Sequence, residues 1–173
     1  MSRLIHDFYV QPMNQVYMET IAVYLIWTAA MLLLRGKARS VLAIIGAALS
    51  IWIIFLLTIF GRSGGGGQGI SLIPFITFVN AKAQPELYRT MYMNVLLFLP
   101  FGLSLPFVIQ KKMRHPILAT ILSAFGMSAC IEFVQYVFHL GKCETDDVIM
   151  NVLGAAIGTT AFLICRLRAS RKA

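Results

Sequence analysis

The sequence predicts an all-α fold, a polytopic membrane helix bundle of about five transmembrane helices, on three observations. Of its 173 residues, 58% are hydrophobic and only 13% charged, with a mean hydropathy of +0.77, whereas soluble domains carry about a quarter charged residues. Five apolar runs approach or reach the roughly 20 residues that a helix needs to cross about 30 Å of hydrocarbon. The basic residues cluster in the short segments between alternate runs, where topology signals belong, and not along a soluble face interleaved with aromatics. A nucleic-acid partner is therefore not expected despite the formal charge of +8, and the runs leave no room for a separate soluble domain. Residues 1–173 read as one integral membrane domain.

The expected spans, in order, are 16–34, 41–60, 91–109, 116–138 and 148–165. The first is preceded by a tail containing Asp7 and Pro12 and lacks a basic n-region or a cleavage site, so it reads as retained. The second carries Gly46 and Ser50, a small patch suited to close helix packing. Between spans two and three lies the long segment 61–90, which opens with "GRSGGGGQG". A phosphate-binding loop needs Lys-Ser/Thr after the glycines and a strand before them; both are missing, so the run reads as a flexible linker and no cofactor is expected. Downstream, residues 70–79 are apolar, too short to span and interrupted by Pro74, which predicts a re-entrant or interfacial segment able to lie over the helices. Span three contains Pro100 and Pro106, expected to kink it and free carbonyls.

Topology follows from charge. Arg35, Lys37 and Arg39, then Lys111, Lys112 and Arg114, then Arg166, Arg168, Arg171 and Lys172 all belong on the cytoplasmic side, where they also meet anionic lipid. That puts the N-terminus outside and the C-terminus inside, and it gathers Asp7, Glu86, Glu144, Asp146 and Asp147 in the outer segments. Cys130, Cys143 and Cys165 fall at different depths, so a disulfide framework is not expected.

The polar residues of the spans fall into stripes. Ser128, Glu132, Gln135 and His139 lie at offsets 0, 4, 7 and 11, one face of a helix; Asp147, Asn151, Gly154 and Gly158 repeat that spacing on the next span. A loop of about nine residues joins the two, short enough for antiparallel neighbours. With Asn94 at the outer start of span three, the candidate ligand-binding residues are Asn94, Glu132, Gln135, Asp147 and Asn151, with Arg62 and Lys142 at the same level, together with Glu19 and Arg89. Intramembrane Asn and Gln also serve as interhelical hydrogen-bond glue, worth about 0.6 kcal/mol per pair. A carboxylate is a poor glue at low dielectric, which singles out Glu132 and Asp147 as candidate functional, or catalytic, groups. His139, Cys143, Glu144, Asp146 and Asp147 are metal-capable, but their spacing matches no metal motif and Asp147 also suits a helix N-terminus, so no metal is expected. Cys143 has only His139 nearby as a base.

The segments "NVLLFLPFG" from Asn94, "IEFVQ" from Ile131 and "GKCETDDVIMNVLGAAIG" from Gly141, with "SLIPF" from Ser71, resemble the VanZ-like family. The resemblance runs from about the second span to the end. It implies a multipass protein of the bacterial cytoplasmic membrane linked to resistance to teicoplanin and other glycopeptide antibiotics, and it carries over to Asn94, Pro100, Gly102, Glu132, Gln135, Asp147, Asn151, Gly154 and Gly158. The family pattern has arginine at Lys142 and asparagine at Ser71; lysine keeps the charge but loses the bidentate fork. Two functions are then expected as alternatives. In one, an outward polar site binds a membrane lipid, a lipid-linked wall precursor or a lipoglycopeptide. In the other, a membrane enzyme modifies a lipid-linked envelope substrate with Glu132 as acid or base.

Overall fold

A computed structural model describes residues 13–62, 69–84 and 86–171, with side chains from Met18 onward. Asp7, Pro12 and most of the glycine run, residues 63–68, lie outside the described residues. The helices fall on the apolar runs: α1 Met13–Leu33, α2 Gly36–Phe55 continued by a π-helical turn Leu56–Phe60, α4 Glu86–Ile109, α5 Pro116–Val137, and a last run formed by α6 Thr145–Gly158 and α7 Thr160–Ser170. A short helix α3, Ile76–Ala81, lies between α2 and α4. Two residues of β1, Ile70–Ser71, pair in parallel with β2, Cys143–Glu144. The fold is the all-α membrane bundle that the sequence predicts. Gly36–Phe60, Glu86–Ile109, Pro116–Val137 and Thr145–Ser170 are long and apolar enough to cross a membrane, and Met18–Leu33 is a shorter apolar helix.

Local chemistry explains the breaks. Gly36, at a φ of +58°, makes the tight reversal between α1 and α2 that a side chain would strain. Pro116 starts α5 at its first turn, where its missing N–H costs nothing. The last run divides at Thr159, where Thr159 and Thr160 turn their hydroxyls back onto the carbonyls of Ala156 and Ile157, both at 2.7 Å, although the Thr159 N–H still reaches the Ala155 carbonyl at 3.1 Å. Pro100 and Pro106 sit inside α4, which stays helical from end to end. Pro100 has no N–H for the Leu96 carbonyl four residues earlier, and Tyr24 of α1 donates its hydroxyl to that carbonyl at 2.8 Å. The carbonyl freed by proline is thus satisfied by a neighbouring helix.

Helix α4 is the centre of the bundle, packed most extensively on α6, then on α2 and α5. Two apolar clusters fill the interior. Ile54, Phe98, Phe101, Ala124, Ile131 and Ala155 form one; Met31, Ala43, Leu103, Phe107, Ala161 and Phe162 form the other, nearer the basic end. The outside is apolar as well: Ile44, Leu49 and Trp52 on α2 and Leu118, Leu122, Phe125 and Phe133 on α5 are exposed. Such a perimeter is what hydrocarbon requires and water would penalise.

Candidate functional site

The site exists because α4 and α6 touch through glycine. A Cβ on Gly154 would fall on the Val95 carbonyl, one on Gly158 on the Leu99 carbonyl, and one on Gly102 on the Ala155 backbone. Contacts that advance together along both helices, Val95 with Gly154 and Leu99 with Gly158, make the pair parallel. No residue but glycine fits these three places, and the resulting backbone contact sets the first turns of both helices side by side. Asn94 thereby faces Asp147.

Helix α5 closes the third wall, antiparallel to α6. Asn151 donates its amide Nδ2 to Ser128 Oγ at 2.8 Å, and the Glu144 backbone N–H donates to Glu132 Oε2 at 2.9 Å. The two polar stripes therefore face one another. Ser128, Glu132, Gln135, Asp147 and Asn151 are all buried. Gln135 reaches sideways and donates Nε2 to the Thr58 carbonyl at 2.9 Å. That carbonyl lies in the π-helical turn Leu56–Phe60 that ends α2, where the last carbonyls of a helix look outside it for a donor. Two buried acceptors find no hydrogen-bond partner among the described residues of this cluster, Gln135 Oε1 and Asn151 Oδ1, while the Asn94 side chain lies against the Asp147 carboxylate.

The charge balance is one-sided. Glu132 lies within electrostatic reach of Asp147, Glu144 and Arg62, and Asp147 within reach of Glu144, Arg62 and Asp146. Arg62 itself is exposed and packs its guanidinium against Gly141, where a Cβ would lie 2.6 Å from Nη1. One arginine thus serves several carboxylates. Lys142 stands apart, exposed, with its stem against Gly69 and its chain lining a cavity of about 430 Å3 together with Ser71, Thr77, Asn80, Gln84 and Glu144. Ser71 and Lys142, the two departures from the family pattern, share this cavity.

Residues 70–81 form a lid at this end of the bundle. The backbone is tied at the β1–β2 bridge, where Cys143 N–H also donates to the Gly69 carbonyl at 3.0 Å. It is tied again by Asp146, whose carboxylate accepts the N–H of Phe75 at 2.5 Å and that of Thr77 at 2.7 Å. Phe75 adopts a left-handed φ of 64° to present its N–H there. The lid turns apolar side chains outward, with Leu72, Ile73, Phe75 and Val79 exposed. Its docking residue, Asp146, appears in the sequence only as a metal-capable neighbour of Asp147. The signal was a second acid in the first helical turn, about 100° around the helix from Asp147 and so on a different face.

His139 does not extend the α5 stripe. The helix ends at Val137 and His139 takes a left-handed φ of 56°, which turns it out of register, exposed. Glu19, Arg89 and His139 each take part in interactions of their own. Among the described residues, no three His, Cys, Asp or Glu side chains group as metal ligands. Burial first, and then the Glu132 and Glu144 carboxylates, push the Cys143 thiol up from its ordinary value, the opposite of what activates a nucleophilic thiol.

Four long apolar helices around a carboxylate- and amide-lined site under an apolar lid define a multipass membrane protein with a polar site at one end of its bundle. The VanZ/LLP1 family profile matches residues 43–166, a stretch that includes every wall of that site, and the chain belongs to this family. It is similar to Protein VanZ of Enterococcus faecium, 31% identical over 91 residues, which cover 53% of this chain and 50% of that protein. The match therefore spans about half the length of that relative. No solved structure matches the chain.

Proposed function

We propose that this protein contributes to glycopeptide and lipoglycopeptide resistance of the teicoplanin type by binding an envelope lipid, a lipid-linked wall precursor or the drug itself in the polar site among α4, α5 and α6. One observation carries the reading. Gln135 and Asn151, 1% and 3% exposed, each hold an amide oxygen without a partner among the described residues, beside the Glu132 and Asp147 carboxylates. Buried acceptors left open in this way cost about 1 to 3 kcal/mol each unless something donates to them. The site accordingly suits ammonium, amide N–H and hydroxyl groups, found on peptide and sugar moieties, better than a bare phosphate, which its carboxylates repel. The apolar lid gives an acyl chain a surface beside it.

The orientation with the N-terminus outside and the C-terminus inside the bacterial cytoplasmic membrane belongs to this proposal. It is supported by the basic linkers and tail sharing one end: Arg39, Arg114 and Arg166 line one cavity there. The relative's name, VanZ, supports the link to glycopeptides.

Glu132→Gln and Asp147→Asn variants, produced at equal level in a susceptible Gram-positive host, are expected to lose protection against teicoplanin with no chemical change in lipid or drug. Full protection by Glu132→Gln would remove the charge from the account. The second reading, an enzyme acting on a lipid-linked envelope substrate, is favoured by the placement of Glu132 within reach of Asp147, two carboxyl groups that an acid–base pair requires. Incubating the purified protein with lipid-linked precursor separates the two: a mass change supports the enzyme, and none with or without divalent metal sinks it.

A further inference from the structure

At the opposite end of the bundle the arginines of three separate segments converge. Arg35 from the α1–α2 linker, Arg39 from the first turns of α2, and Arg168 and Arg171 from α7 and its end surround a cavity of about 640 Å3. Its remaining walls are Leu32, Gly36, Cys165 and Ala169, so four arginine side chains frame a largely apolar cavity. Arg39 also borders a second cavity of about 310 Å3, to which Arg114 and Arg166 contribute. No carboxylate lines either cavity among the described residues.

Four arginine side chains around one cavity repel each other, and among the described residues no carboxylate lines it to offset them. Arg39 is moreover fixed in place: Nε donates to the Leu34 carbonyl at 2.6 Å, and the guanidinium lies 5.5 Å from the centre of the Phe107 ring. That bond uses one of its five N–H donors and leaves the terminal amino groups out. A stacked, pre-positioned arginine loses little further freedom on binding a phosphate, for which its planar fork is suited. A largely apolar cavity framed by arginines, at the mouth of a helix bundle, suits a phosphate headgroup together with its glycerol and acyl portion.

We infer that the cavity framed by Arg35, Arg39, Arg168 and Arg171 binds a phosphate monoester or diester, supplied by an anionic phospholipid of the surrounding leaflet. The inference stands independently of the polar site under the lid and of which side of the membrane each end faces.

The test uses the full chain purified in a neutral detergent and follows thermal stability during titration with short-chain phosphatidylglycerol, short-chain phosphatidylcholine or inorganic phosphate. Phosphatidylglycerol is expected to stabilise saturably and phosphatidylcholine not at all. The Arg39→Gln, Arg168→Gln double variant should weaken the apparent affinity for phosphatidylglycerol by about tenfold or more, the loss of two charge-assisted contacts. Lys111→Gln with Lys112→Gln, at the same end but outside both cavities, should stay within about twofold of the parent, as expected when charge in general is not the cause. Stabilisation by inorganic phosphate at the same concentration as the lipid supports the phosphate site and assigns its occupant to the free anion. Equal stabilisation by phosphatidylcholine, or an equal loss in the lysine variant, overturns the inference. Should Arg39→Gln not fold, Arg168→Gln alone, at an exposed position on α7, carries the same comparison.

Discussion

Asp146 is the residue whose removal should detach the lid while leaving the bundle intact. Its carboxylate is 1% exposed and accepts two backbone N–H groups, from Phe75 at 2.5 Å and from Thr77 at 2.7 Å. Hydrogen bonds to a charged group contribute about 1.5 to 3 kcal/mol each, so the pair holds the lid by about 3 to 6 kcal/mol. Phe75 sits at a φ of 64° to make one of them, a left-handed conformation that costs about 1 to 2 kcal/mol and is relieved when the lid lets go. The net loss in Asp146→Ala is therefore about 1 to 5 kcal/mol, which raises the open population by roughly fivefold to several-thousandfold at about 1.4 kcal/mol per factor of ten. Amide hydrogen exchange followed by mass spectrometry reads this directly, because opening exposes the amides of residues 70–84. Asp146→Asn should fall between the two: its amide keeps one acceptor but sets an NH2 against the other backbone N–H. Unchanged protection of residues 70–84 in Asp146→Ala would refute the docking role. A rise spread evenly over α5 and α6 would do so as well, since it would mean that the residue stabilises the bundle and not the lid.

The glycine contact between α4 and α6 gives a sharp contrast at similar chemistry. Gly102→Ala should destabilise by about 1 to 3 kcal/mol or more, as overpacking does, because its methyl meets the Ala155 backbone, which cannot swing aside. Gly126→Ala, where nothing lies within 4 Å of the new methyl, should be neutral or gain up to about 1 kcal/mol of helix propensity; equal melting temperatures for the two variants in one detergent would contradict the packing. Cys143 offers a pH-dependent reporter of the carboxylates. Alkylation needs the thiolate, the charged form, which burial and then Glu132 and Glu144 disfavour. In a Cys130→Ser, Cys165→Ser background the rate at neutral pH should be below that of a free thiol and climb only above the ordinary thiol range, and Glu144→Gln should speed it by removing a repelling charge. A rate indifferent to Glu144→Gln would show that the charge is not felt there.

The helices were legible in the sequence because hydrocarbon demands long apolar runs and the chain has little else. Their ends were less so: hydropathy continues through Thr159 and Thr160, where hydroxyl back-bonds accompany the division of α6 from α7. The face shared by Ser128, Glu132 and Gln135 followed from helical spacing, and Asn151 meets Ser128 across it. The same spacing misplaced His139, because periodicity assumes that the helix goes on and this one stops at Val137. The lid was legible as a short apolar segment but not in its mooring. A bridge between residues 70–71 and 143–144 joins chain segments more than 70 residues apart, and nothing local marks either one as its partner. The Thr58 carbonyl that receives Gln135 was likewise invisible, since backbone availability at a helix end does not follow from a residue type.

One connection follows from these bonds taken together. The turn between α5 and α6 holds the site and the lid at once: the Glu144 N–H is bound by Glu132, the Glu144 backbone pairs with Ser71, and two residues on Asp146 holds the N–H groups of Phe75 and Thr77. A ligand donor that takes Oε2 of Glu132 must displace the Glu144 N–H, a charge-assisted bond of about 1.5 to 3 kcal/mol. A donor that uses the open oxygens of Gln135 and Asn151 leaves that bond in place. Occupancy of the first kind is expected to loosen the turn whose Cys143 N–H and Asp146 carboxylate hold the lid, whereas occupancy of the second kind is expected to leave the lid docked. The hydrogen-exchange behaviour of residues 70–84 in the presence of a ligand therefore distinguishes a ligand that displaces the Glu144 N–H from Glu132 from one that takes only the open oxygens of Gln135 and Asn151.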